Sequence, residues 1–408
     1  MIIGPLAFAL AATSGFTAAV SGAWSAAMFR ASGLQPGWTD VSNAVRPPAM
    51  AGAMMEYSPR DQRFVLFGGW DGSRGLDGTW VFDPANRTWT ELHPAVSPIE
   101  RGDEMLVYDD QADVFVLFGG WHEFSNQTYA RLSDTWTFSL ATMNWTERHP
   151  TVSPSPRSDP QVAYDSVVDV TLLIGGFDGT SYLGDVWSYS LANDSWTARP
   201  SSLQPSPRAD GRLVYVRGQN RFILFGGNDY NGPNFTYHHL ADTWSYSWNS
   251  NAWTPLHGFV APSARDYPVF AVATDDGYAL LTSGYGDRVP LNDVWGFRFA
   301  DNVWVNLTPL QSPPHRYAAS GGFDSVNHIF VLFGGVGIGG LLADTWYFVY
   351  EPSSASPTGV GPITILGLVA IALVVTTSGL VLIKRHSRKA RSGPTRDRDT
   401  QSMTSRKH

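Results

Sequence analysis

Arginine recurs at one register of this chain: Arg101, Arg157, Arg208, Arg265 and Arg316 stand about 50 residues apart, with Met50 in the equivalent place of the first block. Three of them carry an aspartate two residues on, Asp103, Asp159 and Asp210. A guanidinium presents a planar fork that takes a carboxylate through two parallel bonds. Five such forks suit an acidic ligand. The same arginines, paired with those aspartates, would instead brace the fold from within. Two segments are longer than their counterparts elsewhere in the chain. One, residues 121–132, carries Trp121, His122, Phe124 and Tyr129, and the other, residues 228–240, carries Tyr230, Phe235, Tyr237, His238 and His239. Long aromatic loops on a rigid scaffold are where recognition concentrates. The candidate ligand-binding set is therefore the five arginines, Asp103, Asp159, Asp210, Trp121, His122, Tyr230 and His238. The chain has no Cys, which removes thiolate metal sites, cysteine nucleophiles and disulfides. Neighbouring His238 and His239 point apart in an extended loop and have no carboxylate pair at ligand spacing, so neither a metal nor a cofactor is expected.

The elements that position these residues are repeats. An apolar run ending in glycine recurs six times: FVLFGG at 64–69 and 115–120, TLLIGG at 171–176, FILFGG at 222–227, ALLTSG at 279–284 and FVLFGG at 330–335. Each is followed by Trp80, Trp136, Trp187, Trp244, Trp295 or Trp346, with an aromatic residue two positions later. A spacing of two places both rings on one face of a strand. A second tryptophan follows in five blocks: Trp89, Trp145, Trp196, Trp253 and Trp304. The sixth block lacks one, whereas Trp38 precedes the first block without a partner. Each block thus supplies four strands, and the N-terminal strand is expected to complete the sixth sheet, leaving no open edge at the chain's ends.

This pattern of glycine pair and downstream tryptophan resembles the Kelch repeat. Six copies carry the resemblance over residues 37–350, with Thr282-Ser283-Gly284 and Asp77-Gly78-Thr79 as local departures. It implies an all-β fold, a six-bladed Kelch-type β-propeller closed by its N-terminal strand. It also implies that arginines at the start of each first strand line a ligand pocket, as they do in Kelch domains that take acidic peptides. A copper radical oxidase on this scaffold needs cysteine and is excluded. A sialidase box needs a spacing that Asp77-Gly78-Thr79-Trp80 lacks.

The two ends carry membrane signals. From Pro352 to Ile383 no residue is charged, and Ile363–Ile383 is long enough to cross a bilayer as one C-terminal transmembrane helix, placed at 362–383 after a linker at 351–361. The basic tail, 384–408, marks the cytoplasmic side. Residues 1–29 read as a signal peptide or an N-terminal transmembrane segment without the usual cationic start. The tail holds nine Lys/Arg against two Asp, net +7, so the rest of the chain is at −15. An acidic body has no cationic surface for a phosphate backbone, and no nucleic-acid partner is expected. Asn-x-Ser/Thr occurs at Asn86, Asn126, Asn144, Asn193, Asn234 and Asn306, either as sugar acceptors or as hairpin residues. The expectation is a membrane-anchored extracellular module that binds a protein or glycan through its outward Arg/aromatic face. A membrane-tethered enzyme acting on sugars in the central channel is the alternative.

Overall fold

The computed structural model describes residues 37–350 except 125–127, 231–236, 259 and 274–276. The signal-like segment, linker, transmembrane stretch and tail lie outside the described residues. Among those described, no helix is long and apolar enough to cross a membrane. The architecture is all-β and fits a β-propeller. Six four-stranded antiparallel sheets occur among the described residues. The first joins Ala51–Ser58, Arg63–Trp70, Thr79–Asp83 and Thr88–Leu92 in chain order. The next four begin with Met105–Asp109, Gln161–Asp165, Arg212–Val216 and Val269–Ala273. In the sixth, Ser320–Asp324, Ile329–Phe333 and Thr345–Val349 are completed by Gly37–Asp40 on the outer edge, with Trp38 opposite Phe348. The unpaired N-terminal tryptophan is thereby accounted for.

Neighbouring sheets are tied through the glycine pairs. The amide of the second glycine donates to the carbonyl that begins the next sheet: Gly69 to Arg101, Gly120 to Arg157, Gly176 to Arg208, Gly227 to Arg265, Gly284 to Arg316, and Gly335 to Met50. The last bond links the sixth sheet to the first. Gly175 shows why glycine is needed in these pairs. Its φ is +66°, and a Cβ there would lie 2.4 Å from the Arg208 carbonyl oxygen. In the fifth sheet Ser283 occupies the first position at φ 59°, while Gly284 keeps the second at φ 108°. A side chain is tolerated in the left-handed region of the first position but not at the wider angle of the second.

The tryptophans divide into two roles. In sheets two to six those of the third strands, such as Trp136, bond the aspartate two residues before them, whereas those of the fourth strands cross to the preceding sheet. Trp145 stacks against Phe67 at 4.8 Å, Trp196 against Phe118 at 4.9 Å, Trp304 against Phe225 at 4.9 Å and Trp89 against Phe333 at 5.0 Å. The Trp-Thr strand therefore carries much of the inter-sheet apolar contact, and the Trp-x-aromatic strand adds to it where Phe82 meets Tyr347 of the neighbouring sheet at 6.0 Å. Four of these indoles also donate across the same interface: Trp89 to Thr345, Trp145 to Thr79, Trp196 to Thr135 and Trp304 to Thr243, at 3.0–3.2 Å. The remaining two sheets have Val186 and Val294 where the others have threonine, and the indole nitrogens that face them, on Trp253 and Trp38, are buried without a partner.

Substituting Val186→Thr puts a hydroxyl of nearly the same shape beside Trp253 and is expected to raise stability by about 0.5–1.5 kcal/mol, the net worth of one neutral hydrogen bond. Chemical denaturation measures it; a loss of stability would mean that the indole is already satisfied by solvent.

Candidate functional site

The five arginines lie inside the protein. Arg101, Arg157, Arg208 and Arg265 are 0% exposed and Arg316 is 1%. Each forms a bidentate pair with the aspartate that opens the third strand of its own sheet: Asp134, Asp185, Asp242, Asp293 and Asp344. One further Nη1–H reaches the carbonyl of the first residue of the glycine pair, and Nε–H reaches the carbonyl two residues back. In three of the five, a serine hydroxyl takes the last donor. The guanidinium groups are consumed by the fold, which corrects the expectation that they line a pocket. Their partners are also not Asp103, Asp159 and Asp210. Burial alone would raise the partner carboxyls, but the arginine outweighs it and holds all five below the ordinary carboxylate value, helped by a bond from the adjacent tryptophan indole. The first sheet has Met50 in place of arginine and Gly78 in place of aspartate, so both halves of the pair are missing together.

Asp103, Asp159 and Asp210 belong to another arrangement. With Gly52, Tyr267 and Ala318 they hold the position two residues past Met50 or the arginine, all at φ between 49° and 65°. Their backbones are joined in succession: Gly52 N–H donates to Ala318, Asp103 to Gly52, Asp159 to Asp103, Asp210 to Asp159 and Tyr267 to Asp210, at 2.8–3.2 Å. The first strands of all six sheets are thus gathered at this end. Three neighbouring carboxyls result.

A cavity of about 610 Å³ opens beside them, walled by Asp103, Asp159, Asp210 and Tyr267 and by the loops after the second strands of sheets two and three. Those loops contribute Trp121, Tyr129 and Arg131, and Phe177 and Tyr182. Trp121 donates its indole N–H to Asp103 Oδ2 at 2.7 Å and meets Tyr129 edge-on at 5.6 Å. Arg131 lies 5.3 Å from the Phe177 ring centre. His122 turns aside to the Glu100 carbonyl, 3.2 Å away. His238 stands 3.3 Å from Asp229 on the hairpin of Asn228–Tyr230 and Tyr237–His239, in which the backbone of Tyr230 pairs with Tyr237. The predicted set is therefore divided. Trp121 and the three aspartates come together, the histidines stand apart from the cavity, and the arginines withdraw. Sequence reasoning missed Arg131, Phe177, Tyr182 and Tyr267. Tyr267 could have been found, because it sits two residues past Arg265 where the aspartates sit elsewhere.

Burial dominates the electrostatics here. It pushes Asp103 up to about 8, with the charge of Asp159 adding and the Trp121 bond opposing. Burial carries Asp159 well above the usual range, with Asp210 beside it. It brings Asp210 to about 7, where the neighbouring Asp159 carboxyl opposes and the charges of Asp266 and Asp103 add. Asp266 is raised to about 7 and Glu56, in the first strand of sheet one, to about 8, again chiefly by burial. Burial makes the ionised forms costly, and Asp103, Asp159, Asp210 and Asp266 also lie near other acids. Among the described residues no three His, Cys, Asp or Glu side chains are grouped to hold a metal ion.

These shifts fix the sign of a pH dependence. Between the unfolded carboxyl value of about 4 and folded values of about 7–8, the native state holds protons that the unfolded chain has released. The contribution of these groups to stability is complete below the unfolded value and disappears as pH rises through 7–8. The unfolding midpoint in denaturant is therefore expected to be higher at pH 5.5 than at pH 9. A midpoint that is level or climbing over that interval contradicts the assignment. Below about pH 4 the Arg-paired aspartates act in the opposite direction, and stability falls as they take up protons.

The family model of the KLHDC2/KLHL20/DRC7 Kelch-repeats domain matches residues 35–216 and 197–356. The chain is similar to Mei4-dependent protein 6 of Schizosaccharomyces pombe, 21% identical over 70% of this chain and 45% of that protein. It is also similar to Kelch-like protein 7 of Rattus norvegicus, 28% identical over 31% of this chain and 19% of that protein. The Leucine-zipper-like transcriptional regulator 1 homolog of Drosophila melanogaster is 22% identical over 62% of this chain and 26% of its own length. The chain spans less than half the length of each of these curated relatives.

Proposed function

From the premise that this chain belongs to the KLHDC2/KLHL20/DRC7 Kelch-repeats domain family, we propose that it is a binding module whose ligand is a protein segment seated in the aromatic and acidic cavity beside Asp103, Asp159 and Asp210. The observation that carries this reading is the cavity itself: about 610 Å³, walled by rings from two loops and standing on a backbone held by hydrogen bonds. Loops on a rigid frame with half-exposed aromatic walls are the usual place for recognition. Six sheets arranged as a six-bladed propeller, with Gly37–Asp40 as the closing strand, would give that frame. The bonds from Gly335 to Met50 and from Gly52 to Ala318 support this arrangement. We further propose that the module is extracellular and anchored by the uncharged stretch 362–383, with the basic tail inside. The support is the uncharged length and the basic flank that follows it.

A random peptide library displayed against the full-length chain tests the binding reading. Enriched peptides are expected to lose affinity at least tenfold in Tyr129→Ala and Phe177→Ala, with the unfolding midpoint little changed. Enrichment indifferent to both substitutions would place recognition elsewhere on the molecule.

A further inference from the structure

The cavity is lined by more acidic than basic side chains. Three carboxyls, Asp103, Asp159 and Asp210, line it against one cation, Arg131. Asp266 and Glu104 lie near the same carboxyls, with Arg212 as a further cation acting on Asp103 and Asp266. Asp210 is 5% exposed, and its Oδ1 is buried with no hydrogen-bond partner; burial favours the protonated form of all three carboxyls. A buried acceptor of this kind gains from any donor that can replace the proton. The same cavity is lined by rings, with Trp121 meeting Tyr129 and, 5.2 Å apart, Phe177 beside Tyr182. Carboxylates on one side and ring faces on the other are the two surfaces to which a desolvated cation is attracted. The arginines that would have drawn an acidic ligand are meanwhile spent on Asp134 and its counterparts.

Resting on the binding reading above, we propose that the cavity takes a basic side chain of the protein partner, a lysine ammonium or arginine guanidinium, against Asp103, Asp159 and Asp210 with its stem along Trp121, Tyr129 and Phe177. Ligand binding then displaces protons. The carboxyls that hold them at neutral pH, about 8 for Asp103 and about 7 for Asp210, release them when the cation arrives, so affinity rises with pH through that range.

The test is a titration of the full-length chain, by calorimetry, with four capped pentapeptides, Gly-Gly-X-Gly-Gly, where X is lysine, arginine, acetyl-lysine or glutamate. The lysine and arginine peptides are expected to bind at least tenfold tighter than the other two. Their affinity should rise at least threefold from pH 6 to pH 8.5, with protons released in buffers of different ionisation enthalpy. Asp159→Asn and Asp210→Asn should each abolish the preference; the pH profile and proton count of the unaltered chain serve if either variant does not fold. Acetyl-lysine binding as tightly as lysine, glutamate binding better, or no binding by the lysine peptide at millimolar concentration overturns the proposal. If library peptides still require Tyr129 and Phe177, the binding module stands and only the charge assignment fails.

Discussion

Replacing Arg157 by methionine, the residue that the first sheet carries at this register, is expected to destabilise the protein by about 3–5 kcal/mol. The guanidinium is fully buried and satisfies the Gly175 carbonyl, the Ser155 carbonyl and hydroxyl, and both oxygens of Asp185. Methionine removes the donor from the Gly175 carbonyl and the cation that holds Asp185, which is left with its Trp187 bond and solvent. The converse change, Asp185→Gly, strands a cation whose side chain is 0% exposed and is expected to cost as much. The double variant reproduces the Met50 and Gly78 combination of the first sheet. It is expected to lie above the sum of the single changes by a coupling of about 1–3 kcal/mol. Denaturant midpoints for the four proteins give the cycle. Additive costs, or a loss under 1 kcal/mol for Arg157→Met, would mean that the pair is solvated and not a brace.

The second large effect is expected at Trp145. Its ring is 1% exposed, stacks on Phe67 of the preceding sheet and on Phe138 of its own, and its indole N–H bonds Thr79. Truncation to alanine removes a large aromatic contact and leaves a cavity between two sheets, at a cost of about 3–5 kcal/mol. Phenylalanine separates the two contributions. Trp145→Phe keeps most of the ring but forfeits the bond to Thr79, whereas Trp253→Phe removes an indole N–H that has no partner. The first should therefore cost about 1 kcal/mol more than the second. Equal losses, read from unfolding midpoints under one set of conditions, would show that the threonine bond contributes nothing to the interface.

The carboxyl cavity and the arginine braces share one register of the repeat, two residues apart, and the fold assigns them opposite tasks. Side chains at the arginine position run back into their own sheet, beneath the glycine pair. Those two residues on face the gathered starts of the first strands. An extended backbone would send positions two apart to the same face; the left-handed φ of 54–59° at Asp103, Asp159 and Asp210 breaks that alternation, so an Arg-x-Asp motif that reads as one charged unit is built as two. The joint loss of arginine and aspartate in one block, where Met50 and Gly78 stand, was the written clue to the true pairing.

The number of repeats, the strand that each landmark occupies and the role of Trp38 were legible because they depend on local rules: period two along a strand, glycine where φ is positive, and an unmatched strand at each end. These need only a short window of chain. The partner of each arginine, the orphaned indoles opposite Val186 and Val294, and the meeting of Asp103, Asp159 and Asp210 with Phe177 and Tyr182 join residues tens of positions apart. Only the packing of one sheet on the next brings them within bonding distance. The charge sense of the cavity was decided there as well, because it depends on which ions are buried with a partner and which are buried without one.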